Sequence, residues 1–465
     1  MTSLKPIIDS LEFFEGNLPG FFAGDDIIKK LIAKLKGVLK EQQSDFLYAK
    51  HLDAGKDFMK YVIETCIKYL SDNASQPVPS NKAVENIKNF VDTFATFEEL
   101  LFGLNANYRD HTMHSIWVYL FGHEWISKLG GYESIKLAGQ LIIRYEKMGN
   151  SYIICPKQFI KAEAGHLQAM WGLIAFLHDL GYPVQTITNK AHEVFGKILE
   201  PFAIDFSAIF QTDLSSRISF LHQPLCDLLA TVYRPKILTE EEEDRYYREA
   251  EEETKRAGQP VTKIYPVKPI IGRDEAPEIE FRIATANKAH SAWSAILAFK
   301  NIDYLHLSEY RGGGDIDYLK LLTRRDILES IVHHTSEEPK DDAVNRFQFI
   351  LLLLDDIEEA LRYGRGGQER GNVSTECDLK WEANEKQTQI LLDFTEYDKK
   401  MKELKLDDKY ESKAKRKYEE ISKKYKKQLY REKDDEKYII EIQVKGQEFN
   451  ESLVLSLELD PPTVL

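Results

Sequence analysis

Cysteine is sparse in this sequence. The four present, Cys66, Cys155, Cys226 and Cys377, are scattered and form no CxxC pair, which excludes a disulfide framework and a cysteine-built zinc knuckle. Long apolar runs are missing too. The richest stretches, Ala169–Leu177 and Phe347–Leu354, fall far short of the ~20 residues that cross a bilayer. Neither a GxGxxG nor a GxxxxGK[ST] phosphate loop occurs, which sets aside the usual dinucleotide and P-loop chemistries. Positive charge is in deficit, with 62 Lys and Arg against 76 Asp and Glu for a net charge of −14, so extended nucleic acid is not an expected partner. The stretch Met1–Gly16 lacks the basic start and apolar core of a signal peptide. Together these absences predict a soluble, cytoplasmic protein with no membrane partner.

What is present suits a folded chain: 465 residues, 43% hydrophobic and 11% aromatic, enough for a sizeable core. Apolar residues recur at helical spacing from Ser10 to about Phe102, for example Phe58, Val62, Cys66 and Leu70. Further helical patterns cover Thr112–Leu129, Ala162–Leu180, Asn189–Phe202, Ser215–Val232, Arg282–Phe299, Ile316–His334 and Val344–Tyr363. A glutamate-rich segment, Thr239–Arg256, followed by a proline-rich return to Pro277, has little to bury and reads as a solvated insertion over about 239–280. Beyond the glycine-rich Gly364–Gly371 the period changes. Alternation in Val373–Trp381, Thr388–Phe394, Tyr438–Val444 and Leu453–Leu459 predicts strands around a charged helix over Tyr397–Lys433, a β-β-α-β-β order. The predicted organisation is therefore mainly α. A helical region at 1–107 packs on a helical domain at 108–366, and a small α+β domain follows at 371–465.

Histidine is concentrated: of 12, eleven lie between His111 and His334. Leu167, Met170, Trp171, Ile174, Ala175, Leu177 and His178 form one stripe of a helix that is apolar on its other sides as well, yet this helix ends in His178-Asp179. An ionised carboxylate in such a place costs several kcal/mol unless a partner or a cation offsets it. The anomaly recurs. His114 shares a face with Trp117, Val118, Phe121 and Trp125; His290 lines up with Ile283, Ala286, Trp293 and Leu297; His333 and His334 end an apolar helix; Asp355 closes the run Phe349–Leu354. Any one of these histidines alone reads as a hydrogen-bonded core residue. Imidazole or carboxylate on five core-facing helices is instead the pattern of a metal site, in which each ligand compensates the burial of the others.

These residues, in this order, resemble the HD-domain superfamily of metal-dependent phosphohydrolases. The resemblance runs from about Tyr108 to Gly366 and rests on Arg109-Asp110-His111-Thr112-Met113-His114-Ser115, Leu177-His178-Asp179-Leu180-Gly181, His290, Ile331-Val332-His333-His334 and Leu354-Asp355-Asp356. It implies an all-α helical bundle. It also implies that His114, His178, Asp179 and Asp355 hold one metal, that Asp179 bridges to a second, and that His290 with His333 or His334 completes the second set. His111 is the rival of His114 and Asp356 that of Asp355; helical spacing favours His334 over His333. Gly181 is followed by Tyr182, where deoxynucleotide triphosphohydrolases of the superfamily usually carry histidine. The letters Gly181-Tyr182-Pro183 match the HD-GYP signature out of its usual place and read as a helix stop.

The chemistry implied is hydrolysis of a phosphate ester or anhydride, most naturally of a nucleotide, by a metal-activated water, with His178 and Asp179 at its centre. Imidazole and carboxylate donors suit Fe, Mn, Co, Ni or Zn, and Mg less readily, as one or two ions. Cations near the motifs, Arg109, Lys288, Arg324, Arg325, Arg362 and Arg365, read as surface charges or phosphate clamps, with Arg362 and Arg365 best placed for clamping. His111 and Tyr182 are further candidates to touch substrate, Tyr182 by stacking on a base. The alternative is a non-catalytic metal- or nucleotide-binding signalling module with the C-terminal domain as effector. A homo-oligomer is compatible with either reading.

Overall fold

The structure is a computed structural model that describes residues 5–40, 47–73, 80–104, 111–135, 147–148, 151–152, 162–183, 185–186, 290–305, 318–335, 346–358, 378–384, 386–396, 398–399, 412–426 and 438–457. The expected helices at 189–202 and 215–232 and the insertion at 239–280 lie outside these residues. Among the described residues the fold is mainly α, with one four-stranded sheet and a two-residue strand pair. The helices are α1 Lys5–Gly16, α2 Asp26–Lys40, α3 Leu47–Asp72, α4 Asn81–Leu104, α5 His111–Lys128, α6 Ala164–Leu177, α7 His290–Asn301, α8 Tyr318–His333, α9 Phe347–Glu358 and α10 Lys413–Lys424. A two-residue antiparallel pair, β1 Lys147–Met148 and β2 Ser151–Tyr152, has no counterpart in the sequence periodicity. No described helix is long and apolar enough to cross a membrane.

Two helices sit at the centre of the molecule. α5 is buried from His111 to Ile126, and α6 is buried along nearly its whole length, as expected of a sequence apolar on every side. Each large apolar side chain so removed from water contributes about 1.5–3 kcal/mol. The two helices come close because α5 carries Gly122 at their contact. A Cβ there would lie 2.0 Å from Cζ2 of Trp171, and Trp171 Nε1 donates to the Tyr119 carbonyl at 3.0 Å. Around this pair pack α3 against α6, α1 and α9 against α5, and α8 against α6, α7 and α9. Polar ties fix α1: Ser10 donates to Glu124 Oε2 at 2.5 Å, and His123 Nε2 lies 2.9 Å from the Asn17 carbonyl, which only accepts.

The sheet consists of β3 Asp378–Ala383, β4 Gln387–Asp393, β5 Tyr438–Lys445 and β6 Asn450–Leu457, in that spatial order. β4 and β5 are parallel, with Ile390 opposite Ile442, and the outer pairs are antiparallel. A parallel neighbour needs a crossover, and α10, which packs on β5 and β6, lies on it. The expected single helix over Tyr397–Lys433 is interrupted at Ser412. Its backbone is extended (φ −50°, ψ 129°) and its hydroxyl accepts from Lys415 N, while Asp398 accepts from Lys413 N at 2.9 Å and from the Ser412 hydroxyl at 2.5 Å. Ser412 is thus an N-cap, satisfying amides that the first turn leaves without helical acceptors. Trp381 of β3 meets the rings of Phe121 and Trp125 edge-on, both at 5.9 Å between centroids, and so seats the sheet against α5.

Candidate metal centre

Five helices deliver side chains to one place. α5 contributes His114 from its first turn, the end of α6 contributes His178 and Asp179, α7 contributes His290 at its start, α8 leads into His334, and α9 contributes Asp355. The helix ends matter here, because a chain leaving an apolar helix can turn a polar side chain inward without breaking the packed face. Gly181 follows the His178-Asp179 turn and permits a close approach of α7. A Cβ on it would fall 2.1 Å from the His290 carbonyl and 2.5 Å from Ser294 N, and its amide donates to Ser294 Oγ at 2.7 Å.

Two groups of donor atoms result, and Asp179 belongs to both. In the first, His114 Nε2 lies 3.1 Å from His178 Nε2 and 3.5 Å from Asp179 Oδ2, with His178 Nε2 3.6 Å from Asp179 Oδ2; Asp355 Oδ1, beside this group, lies 3.0 Å from His114 Nε2. In the second, Asp179 Oδ1 lies 3.1 Å from His290 Nε2 and 3.5 Å from His334 Nε2, and those nitrogens are 3.0 Å apart. Asp179, His114, His178 and His334 are buried, and His290 and Asp355 are partly exposed.

The tautomers follow from the partners. His178 Nδ1 is 2.8 Å from the Ala175 carbonyl and His334 Nδ1 is 2.7 Å from the Ile331 carbonyl; a carbonyl only accepts, so each Nδ1 carries the proton. His290 Nδ1 faces the Gln185 amide oxygen at 2.8 Å in the same way. The Nε2 atoms therefore point toward one another and toward the Asp179 carboxylate. Positive charge among them, as protons or as an ion, would satisfy all of these atoms. Burial pushes the His178 imidazole down to about 3, against the opposing pull of Asp179. Burial alone would raise the Asp179 carboxyl, but His178, His290 and His334 reverse this and hold it well below the usual carboxylate range.

This buried His/Asp group could hold a metal ion. Its dimensions fit one: bonds of ~2.0–2.2 Å to nitrogen and oxygen require neighbouring donors to be roughly 3.0–3.5 Å apart, and the donors of the two groups are 3.0–3.6 Å apart. Protonated imidazoles are the competing way to supply the charge. An ion would replace them with a single centre that serves every donor at once.

The remaining sequence candidates divide clearly. His111 is buried but belongs to neither group. Its ring stacks on Tyr182 at 3.7 Å between centroids, and its Nδ1 lies 3.5 Å from Glu98 Oε1. One face of Tyr182 is therefore covered, and its edge approaches His290, with 6.0 Å between centroids. His333 is buried outside both groups, while His334 converges with the others. Asp356 turns away from its neighbour Asp355 and accepts from Lys424 Nζ at 2.7 Å and Tyr425 OH at 2.8 Å. Burial, opposed by Lys424, raises its carboxyl above the usual range. Arg324 and Arg325, expected at the surface, are each 1% exposed. Arg324 Nε donates to the Tyr304 carbonyl at 2.6 Å, and Arg325 pairs with Asp326 at 3.3 Å and Glu329 at 3.6 Å. Both are internal structural charges. Arg109, Lys288, Arg362 and Arg365 lie outside the described residues.

Glu98 of α4 is a participant that sequence reasoning missed. Fully buried, it accepts from His111 N at 2.6 Å, from Thr112 N at 3.1 Å and from the Thr112 hydroxyl. A carboxylate at the positive end of α5 satisfies its leading amides and so anchors the turn that carries His114.

Compared with known proteins, the chain matches no family model, no curated protein and no solved structure.

Proposed function

We propose that this protein is a metal-dependent phosphohydrolase of the HD-domain kind, acting on a phosphate ester or anhydride, with a nucleotide as the substrate class. One observation carries the reading: three potential metal-donor atoms, Asp179 Oδ1, His290 Nε2 and His334 Nε2, lie within 3.0–3.5 Å of one another and could share an ion. His114, His178, Asp179 and Asp355 would hold one ion, and Asp179, His290 and His334 a second. The donor set is imidazole and carboxylate without thiolate, which suits Fe, Mn, Co, Ni or Zn. A bound ion of this kind supplies Lewis acidity toward a phosphoryl oxygen and acidifies a water ligand.

The chain's own residues do the rest. The carbonyls of Ala175 and Ile331 fix the His178 and His334 rings with Nε2 directed inward, an outer support of the kind that sets ligand orientation. Asp179, kept ionised, contributes one oxygen to each group. Asp355 and His290, the partly exposed members, mark the side from which a phosphate would enter, with the His111–Tyr182 stack beside His290.

The test is metal analysis of the purified protein, then turnover of a panel of nucleotides, cyclic dinucleotides and generic phosphate esters, comparing wild type with Asp179→Ala. Bound transition metal and Asp179-dependent phosphate release are expected. Absence of metal together with absence of Asp179-dependent turnover under any supplied ion would overturn the assignment, and metal without turnover would favour a binding module instead.

A further inference from the structure

Asp355 and Asp356 are neighbours on α9 with opposite surroundings. Consecutive residues on an α-helix point about 100° apart, so the rotation of α9 about its own axis decides which carboxylate faces His114. In the structure Asp355 Oδ1 lies 3.0 Å from His114 Nε2. Asp356, 6% exposed, is held from the other side by Lys424 Nζ at 2.7 Å and Tyr425 OH at 2.8 Å. Both of these residues come from the end of α10, the helix on the crossover of the sheet. Tyr425 is fully buried and meets Phe349 of α9 edge-on at 6.1 Å between centroids. Turning α9 would strip a buried carboxylate of two donors, one of them charged, and the loss of such partners is costly in a buried setting.

We infer that Lys424 and Tyr425 are positioning residues of the metal centre: by gripping Asp356 they set the rotation of α9 that presents Asp355 to His114. The inference rests on the metal reading above. It makes the C-terminal sheet and its helix part of the centre's assembly, although neither donor group takes a residue from them among the described residues, and it assigns Asp356 a structural task distinct from that of its neighbour.

The experiment uses the full chain, stripped with a chelator and titrated with Co2+ alone while the visible absorption of the bound ion is followed. Wild type is compared with Tyr425→Phe, Lys424→Met, their combination, Lys424→Arg, and Ile421→Val, a buried apolar change on the same helix that leaves both hydrogen-bond partners of Asp356 in place. The combined variant is expected to bind Co2+ about 10- to 100-fold more weakly, the usual effect of removing an outer-shell partner. Its spectrum should shift toward that of Asp355→Asn, whereas Lys424→Arg and Ile421→Val should match wild type. Wild-type affinity and spectrum in the combined variant would overturn the inference, as would an equal loss in Ile421→Val. If circular dichroism shows the combined variant unfolded, Tyr425→Phe, which deletes one hydroxyl, decides between the same outcomes. A wild type that takes up no Co2+ removes the metal reading and this inference with it; uptake unchanged across the variants removes the inference alone.

Discussion

His334 Nε2 stands 3.0 Å from His290 Nε2 while the Nδ1 of each ring is engaged by an oxygen, that of Ile331 for one and of Gln185 for the other. Both Nε2 atoms and Asp179 Oδ1 face one another, and a bound ion would serve all three at once. Metal and stability should therefore be linked.

The first expectation follows from that linkage. At a metal concentration about a thousand times its dissociation constant, a ligand that binds only the folded chain stabilises it by about 4 kcal/mol. Thermal or urea unfolding of the chelated protein, with and without added Mn2+, should show such a gain in wild type and almost none in Asp179→Asn, which withdraws the carboxylate shared by both groups.

Glu98 should matter more than an ordinary helix glutamate. Replacing it by alanine leaves the amides of His111 and Thr112 buried without their acceptor, a cost of about 1–3 kcal/mol in urea unfolding. Because His114 lies on the same opening turn of α5, metal affinity should fall together with stability. An unchanged affinity in a destabilised Glu98→Ala protein would show that α5 holds His114 without this anchor.

Gly181→Ala tests the close approach of α7. The added methyl would meet the His290 carbonyl and Ser294 N at 2.1 and 2.5 Å, contacts made by backbone that cannot swing aside. The expected loss is about 1–3 kcal/mol from overpacking. Displacement of His290 should also lower the number of metal ions retained after dialysis, as read by elemental analysis.

His123 governs part of the acid response. Burial pushes its imidazole down to about 4, with the Asn17 carbonyl opposing, while the unfolded chain would take up a proton near ~6.5. A depressed histidine contributes its stability in full above the unfolded value and loses it as pH falls from there toward about 4. The slope attributable to this residue approaches ~1.4 kcal/mol per pH unit. Urea midpoints at pH 7, 6 and 5 should therefore fall less steeply in His123→Gln than in wild type; parallel profiles would contradict the assignment.

Much of this arrangement was legible in the residues. A histidine and an aspartate ending a helix that is apolar all round, as at His178 and Asp179, announce that something must offset them, and the same logic brought in His114, His290, His334 and Asp355. The succession of strands and helix along the C-terminal part could also be read, since β4 and β5 alternate cleanly between buried and less buried positions, whereas the parallel pairing of β4 with β5 could not. Other features depend on contacts that periodicity does not encode. Asp355 and Asp356 have equal standing in sequence, and only the seat of α10 separates them. Glu98 resembles Glu99 until the return of the chain places α5 against it. Arg324 and Arg325 look like surface charges because their acidic and carbonyl partners, Asp326, Glu329 and Tyr304, become partners only on packing. The break at Ser412 is hidden in a run so charged that it offers no apolar rhythm to interrupt.

Gly122 has a consequence at a distance. It touches Trp171 about two helical turns from His114 on α5, while Trp171 lies about two turns from His178 on α6, so the antiparallel helices meet where no side chain on α5 can hold them apart. The separation of His114 and His178 is thus inherited from a hydrogen atom and an indole ring more than 10 Å away, at ~1.5 Å of rise per residue. An ion with longer bonds, such as calcium at ~2.3–2.6 Å, would have to pry the helices open against that contact. Discrimination by ionic radius would then reside in the backbone spacing of two helices, and a methyl group at position 122 would recalibrate it.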